Sequence, residues 1–371
     1  MKIVIFGLTL SSSWGNGHAT LWRGLIHALG RRGHDVVFFE RDAPYYAEHR
    51  DLTELSRGEL RLYRTWDDVV SLARREAQTA DAAIVTSYCP DSHAASAMLD
   101  ESDALRVFYD LDTPVTLAQL KAGATVPYVP PNGLRDFDLV LSFTGGRALD
   151  ELREHLGAVW VEPLYGSVDP AVHRPVSPVD QYRADLSYLG TYAEDRQAVL
   201  EALFVETARR CPDRRFVIGG AQYPHRFPWT DNIYFLRHLE PARHPEFFSS
   251  SRLTLNVTRE AMRQMGYCPS GRLFEAAACG TPVVSDTWEG LETFFAPDRE
   301  ILLANSADDI ERVMDSSDEE LQRLGQAARE RVLSTHTADH RAVELEIYLE
   351  RGMARTSEGP EEIETATTGE I

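Results

Sequence analysis

The chain has 371 residues, 43% of them hydrophobic, which is long for one core and sufficient for two. Its formal net charge of −20, from 58 acidic against 38 basic residues, speaks against wrapping nucleic acid or lying on an anionic membrane, because both need clustered Lys and Arg. Four scattered cysteines, Cys89, Cys211, Cys268 and Cys279, include no CxxC pair, which argues against a zinc site and against a disulfide framework.

Lys2 and Lys121 are the only lysines, so the positive charge is almost all arginine. The guanidinium fork suits phosphate, although a base bias of the genome accounts for the skew as well. A first strand starting at Lys2 leaves no room for a secretory leader, and no apolar run approaches the roughly 20 residues of a membrane helix. A cytoplasmic protein is expected.

Short apolar runs alternate with amphipathic stretches, the pattern of parallel sheets flanked by helices. Expected strands in the first half are Ile3–Gly7, Asp35–Phe39, Leu60–Tyr63, Ala82–Thr86, Leu105–Tyr109, Leu139–Ser142 and Val159–Glu162. Over Ala19–Arg32, Leu21, Leu25 and Leu29 recur every four residues, which predicts a helix stopped by Gly33. The segment 162–182 breaks the rhythm with Pro163, Gly166, Pro170, Pro175 and Pro178 and reads as a connector. A second series follows: Leu186–Gly190, Phe216–Ile218, Ile233–Leu236, Leu253–Asn256, Pro282–Ser285 and Ile301–Ala304, then a helix over Ala338–Glu350. The last residues hold five glutamates and no basic residue, which predicts a disordered tail. Two open α/β sheets joined in this way form a cleft, and ligands bind at the carboxyl ends of such strands.

The densest signal is Met265–Asp286, MGYCPSGRLFEAAACGTPVVSD. Pro269–Ser270–Gly271 enters a helix with Ser270 as N-cap, and the helix Arg272–Cys279 ends at Gly280. A helix N-terminus built from small residues lets backbone N–H groups reach a phosphate, and the dipole favours the anion. Arg272 adds a charged fork in that turn. Glu275 lies on the same face, where a carboxylate can accept both hydroxyls of a ribose. The competing arrangement is a capped core helix whose Arg272 and Glu275 pair with each other.

This stretch resembles the donor-site motif of GT-B glycosyltransferases, in particular the CgeB-like group with its PSxRLFEAAACGTP signature. The resemblance implies ribose contact for Glu275 and diphosphate contact for Ser270, Gly271 and Arg272. Many retaining relatives carry a Glu eight residues before the ribose Glu; here that residue is Tyr267, so a retaining mechanism does not carry over, and Tyr267 is counted with the donor-binding candidates. WGNGHAT (14–20), YDLDTPVTL (109–117), LGTYAEDR (189–196) and the linker YGSVDPAVHRP (165–175), similar to GVDxxxFxP, extend the resemblance over roughly residues 1 to 350. It implies an α/β protein of GT-B fold, two Rossmann-like domains facing a central cleft. The expected divisions are an acceptor domain over 1–165, a linker over 166–182, a donor domain over 183–336, a helix crossing back over 337–352 and an acidic tail over 353–371.

Within that frame Gly190, Thr191 and Tyr192 follow the first strand of the second domain and are candidates to hold a phosphate from the other side, unless they form a plain turn. Arg237 and His238 follow a strand whose end holds the base in similar folds; a surface pair is the alternative. Arg259 is a second candidate for the diphosphate, or an exposed salt bridge. A base must take the acceptor proton. His18 stands in a glycine-rich loop where inverting GT-B enzymes often place a histidine, with helix capping as the alternative. Asp110 and Asp112 compete for that role, and Asp112 or Thr113 equally suits a cap before Pro114. Trp14, Asn16 and Tyr109 are the acceptor-side candidates. No metal is implied, since arginine and a helix N-terminus can neutralise a leaving diphosphate, and the D-x-D of 110–112 falls in the acceptor half.

The function expected is transfer of a sugar from a nucleoside-diphosphate sugar, of UDP or TDP type, to a hydroxyl or amine without a cofactor. A Rossmann dehydrogenase is disfavoured because Gly15 lies eight residues beyond Gly7 and Thr20 stands where a third glycine belongs. A GT-B epimerase or phosphorylase and a non-catalytic nucleotide-sugar binder are the alternatives.

Overall fold

The computed structural model describes residues 1–358. The expected apolar runs become two all-parallel sheets. The first holds β1 (Lys2–Gly7), β2 (Asp35–Arg41), β3 (Glu59–Tyr63), β4 (Ala82–Thr86), β5 (Leu105–Asp110), β6 (Leu139–Ser142) and β7 (Val161–Pro163), in the order β3-β2-β1-β4-β5-β6-β7. The second holds β8 (Leu186–Leu189), β9 (Phe216–Gly220), β10 (Ile233–Arg237), β11 (Thr254–Asn256), β12 (Val283–Ser285) and β13 (Leu302–Leu303), in the order β10-β9-β8-β11-β12-β13. Five helices matter below: α1 (His18–Arg31), α2 (Thr113–Lys121), α3 (His244–Ser249), α4 (Gly271–Ala278) and α5 (Ala338–Glu358).

Helices cover both faces of each sheet, so the central strands read as unbroken apolar runs rather than alternating ones. In β1, Val4 and Phe6 join Val37, Phe39 and Val85 on one side, while Ile3 and Ile5 join Phe38, Ile84, Trp22 and Leu25 on the other. The second sheet is clad in the same way by two buried clusters. Val159, expected to open a strand, is instead 70% exposed, and β7 begins two residues later.

Both sheets reverse direction of winding at one place. In the first, β1 lies between β2 and β4; in the second, β8 lies between β9 and β11. Loops leaving the two central strands diverge there and open a crevice at the carboxyl edge. The two crevices face one another.

The chain crosses between the domains twice, and the crossings are hydrogen-bonded. Val168 N–H donates to the His336 carbonyl (3.1 Å), and Ala338 N–H donates to the Val168 carbonyl (2.8 Å). Arg341, 3% exposed, donates from Nε to the Gly166 carbonyl (3.3 Å). Beyond this point α5 packs on the first domain: Ala338, Ala342, Leu345 and Leu349 are buried with Trp22, Leu25 and Leu29 of α1. A tail was expected from residue 353, but α5 runs to Glu358. The Arg355 guanidinium lies 4.8 Å over the Trp160 ring and fastens the last turns, a contact that composition does not reveal. The rest of the expected tail, 359–371, lies outside the described residues. No helix among the described residues is long and apolar enough to cross a membrane.

Candidate active site

The facing crevices enclose a cavity of about 350 Å³, within the range of small-molecule sites. From the first domain it is lined by Asn16, Gly17, His18 and Asp112; from the second by Gly190, Thr191, Arg259, Ser270, Gly271, Arg272 and Glu275.

On the second-domain side, Ser270 is the N-cap of α4 by backbone geometry, yet its hydroxyl makes no cap bond. The first N–H groups of α4 are thus left for a ligand. Arg272 donates to Asn256 Oδ1 (3.1 Å), and its guanidinium lies 5.2 Å from the Tyr188 ring centre. Glycine at 190 leaves room for this approach, since a Cβ there would stand 2.8 Å from Arg272 Nη2 and from the Tyr188 hydroxyl. Arg272 and Glu275 do not pair with each other, so the capped-core alternative fails. Glu275 faces His244 Nδ1 at 3.5 Å and His173 Nε2 at 4.0 Å. Burial would raise its carboxyl, but His173, His244 and Arg272 outweigh burial and hold it at about 2. It is an anion at neutral pH.

On the first-domain side, the His18 backbone N–H donates to Asn16 Oδ1 (3.0 Å), and the ring places Nε2 3.9 Å from Asp112 Oδ1. Burial lowers the imidazole below its ordinary value, Asp112 raises it and Arg259 lowers it again. A neutral ring beside a carboxylate is competent to accept a proton. Asp112 is N-cap of α2 without a side-chain cap bond. Its Oδ2 instead accepts from the Tyr88 hydroxyl (2.9 Å) and stands 4.0 Å from Arg259 Nη1. Arg259 also donates to Asp195 (2.9 Å), which ties the guanidinium to its own domain while it reaches the other.

Several expected residues do not line the cavity. Asp110 is fully buried; its Oδ1 accepts from Asp112 N–H (3.1 Å), and burial raises its carboxyl to about 6, so it braces the loop rather than meeting an acceptor. Tyr109 is in the core, its hydroxyl on the Leu164 carbonyl (2.6 Å) and its ring edge-on to Trp22. Tyr267 has a backbone φ of 48° and its ring lies between two backbones: a Cβ at Gly146 would be 2.5 Å from it and one at Gly290 2.4 Å. Tyr192 packs on Tyr223, and Arg237 is exposed at the end of β10, whereas its neighbour His238 turns into the cavity with φ 53°. Trp14 lies beside that rim, stacked on His49 (3.9 Å) and 4.3 Å from His238.

Tyr88, Arg196, Asn256, His173 and His244 were not singled out from the sequence, although all touch the site or its lining. Only His173 carried a signal: it stands where the GVDxxxFxP pattern has phenylalanine.

Residues 196–347 match the family described as Glycosyl transferase-like. The match spans less than half of the chain and lies almost wholly in the second domain. Solved structures align over nearly its whole length. A sucrose-phosphate synthase from Thermosynechococcus elongatus is 15% identical at a TM-score of 0.70, covering 95% of this chain and 100% of its own. Anabaena HepE, in complex with UDP and glucose, is 12% identical at 0.67, with 95% and 100% covered. An alpha-glucosyltransferase in complex with UDP and a 13-mer DNA is 14% identical at 0.66, with 96% and 100% covered. The fold is GT-B. The expected fold class is therefore the one observed, with the cavity at the junction of the two GT-B domains. No curated protein sequence matches the chain.

Proposed function

We propose that the protein is a glycosyltransferase that takes a sugar from a nucleoside-diphosphate sugar, of UDP or TDP type, and belongs to the CgeB-like group. The observation that carries this reading is the juxtaposition across one cavity of an anion site and a base. The α4 N-terminus, Arg272 and an ionised Glu275 stand on one side; His18 and Asp112 stand on the other. The family match in the second domain and the neighbours solved with UDP support it.

In this reading Glu275 accepts the ribose hydroxyls, and His238 lies at the base end. The acceptor oxygen or nitrogen attacks the anomeric carbon. Its proton passes to His18, whose Nε2 is turned to Asp112, which leaves Nδ1 as the receiving nitrogen. The bond from that carbon to the diphosphate oxygen breaks, and the departing charge meets Arg272, Gly271 N–H and Ser270. Asp112, held by Tyr88, stabilises the imidazolium. No cofactor enters the step, and the charge of the leaving group is met without calling on a metal ion. With Tyr267 packed between glycines, no carboxylate occupies the place that retaining relatives use, which favours direct attack with inversion. The acidic surface favours a small or carbohydrate acceptor over nucleic acid.

The test is a thermal-shift panel of UDP, TDP, GDP, ADP, CMP and NAD, followed by turnover of the sugar nucleotide whose diphosphate stabilises the protein. A ligand at 100 times its Kd adds about 2.7 kcal/mol. One nucleoside diphosphate is expected to shift the midpoint, and His18→Ala is expected to abolish turnover while keeping that shift. Stabilisation by NAD alone would sink the reading. Binding with no turnover on any acceptor would leave a nucleotide-sugar binder, and interconversion or phosphorolysis of the sugar an epimerase or phosphorylase.

A further inference from the structure

Two imidazoles flank Glu275, and the transfer chemistry uses neither. His173, on the linker, is 1% exposed, and both of its ring nitrogens lack a hydrogen-bond partner. His244, the first residue of α3, meets the Leu239 carbonyl with Nε2 (3.2 Å) and turns Nδ1 to Glu275 Oε2 (3.5 Å). A carbonyl only accepts, so Nε2 carries the ring proton. Nδ1 then faces the carboxylate either as a bare lone pair or, on a charged ring, as a second N–H. Opposed acceptors in a low-dielectric pocket are unfavourable unless something positive lies between them.

A ring N–H tied to a backbone carbonyl, with the other nitrogen turned inward, is how metal-ligating histidines are usually held. His173, His244 and Glu275 are the one such trio among the described residues, their ligand atoms within 4.8 Å of one another. Tetrahedral zinc with bonds of about 2.0–2.1 Å needs ligand atoms about 3.4 Å apart. The shortest separations run to different carboxylate oxygens, 3.5 Å to Oε2 and 4.0 Å to Oε1, and the three ligand atoms lie within 4.8 Å of one another, so side-chain movements on the order of 1 Å would close the set. Two imidazoles and one carboxylate suit zinc and its neighbours, whereas magnesium and calcium take mostly oxygen.

We propose that His173, His244 and Glu275 bind one zinc-type divalent ion, with a fourth position open to the cavity, and that this ion and the nucleotide exclude one another at Glu275. The second half rests on the assignment of Glu275 to the ribose. The ion is then an occupant that holds the donor site shut, not a participant in transfer. His173 is what distinguishes this linker from the GVDxxxFxP pattern, where phenylalanine could supply no ligand.

The experiment is calorimetric titration of chelator-treated, full-length protein with zinc chloride, with magnesium chloride in parallel, on wild type, His173→Phe and His244→Gln. One zinc per chain is expected in wild type, at least tenfold weaker binding in both variants, and no magnesium binding. Absence of stoichiometric zinc in wild type, or zinc binding unchanged in both variants, overturns the site and leaves a protonated His244 as what faces Glu275. Should His173→Phe fail to fold, His244→Gln decides. Saturating zinc is expected to weaken UDP binding at least tenfold; undiminished UDP affinity overturns the exclusion. If UDP fails to bind the zinc-free wild type, the donor assignment falls while the zinc stoichiometry still decides the metal site.

Discussion

Replacing Glu275 with glutamine isolates its charge, because the two side chains match in shape. The carboxyl is held at about 2, so at pH 7 it is fully ionised, and with 14% of the side chain exposed its interactions are weakly screened by solvent. Each ribose hydroxyl would donate to an anion, and such a bond contributes about 1.5–3 kcal/mol against about 0.5–1.5 for a neutral pair. Glutamine keeps one acceptor oxygen and turns the other into a donor. One charge-assisted bond is therefore lost and one weakened, about 2–4 kcal/mol in sum, or roughly 30- to 700-fold in Kd. Calorimetry with UDP on both proteins, in buffer containing a chelator, reads this directly, and matched melting curves check that Glu275→Gln is folded. A Kd within threefold of wild type would refute the assignment, since a carboxylate that serves only to pair two imidazoles adds nothing to nucleotide affinity.

Three further expectations concern the base, the second crossing and acid stability. Because His18 lies below its ordinary value and works when deprotonated, kcat/KM should be flat above pH 6.5 and fall only below it; an acid limb centred above 6.5 would argue against His18. Asp112→Asn removes the carboxylate that raises His18 and should move that limb to still lower pH, with kcat reduced on the order of 100-fold. Leu345 is fully buried between α5 and the first domain, so Leu345→Ala should cost about 2–5 kcal/mol in urea denaturation, and a loss under 1 would mean that α5 is not firmly docked. Burial and Arg341 hold His336 at about 3 among Phe274, Phe294 and Phe295, so the unfolded chain binds the extra proton between pH 6.5 and 3, and stability falls with falling pH across that window. Between pH 7 and 5 this amounts to about 2 kcal/mol. An equal loss in His336→Gln would assign the acid sensitivity to another group.

What could be read in the chain alone was whatever local pattern dictates. A strand buried on both faces must be a continuous apolar run, so 82–86 and 139–142 were placed to the residue. A phosphate-facing helix start must be small and must be followed by its charged residues at helical spacing, so Ser270, Gly271, Arg272 and Glu275 stood out in one segment. Other features depended on where the chain comes back to itself. Asp110 and Asp112 share one strand end, and only the packing of the loop buries the first while Tyr88, 24 residues earlier, holds the second at the cavity. Tyr109, Tyr192 and Tyr267 carry the residue type expected in a sugar site but spend their rings on core contacts, a choice made by neighbours distant in sequence. His173 and Glu275 lie 102 positions apart, and α5 lies on a domain that ended long before it began. Period and propensity act over a few residues, whereas burial, ion pairing and the pKa of a carboxyl are set by whatever the fold brings within about 4–6 Å. That is why the elements and the small-residue start of α4 with Arg272 and Glu275 were legible, and why the pairing of His18 with Asp112 and the two imidazoles on Glu275 emerged only from the tertiary structure.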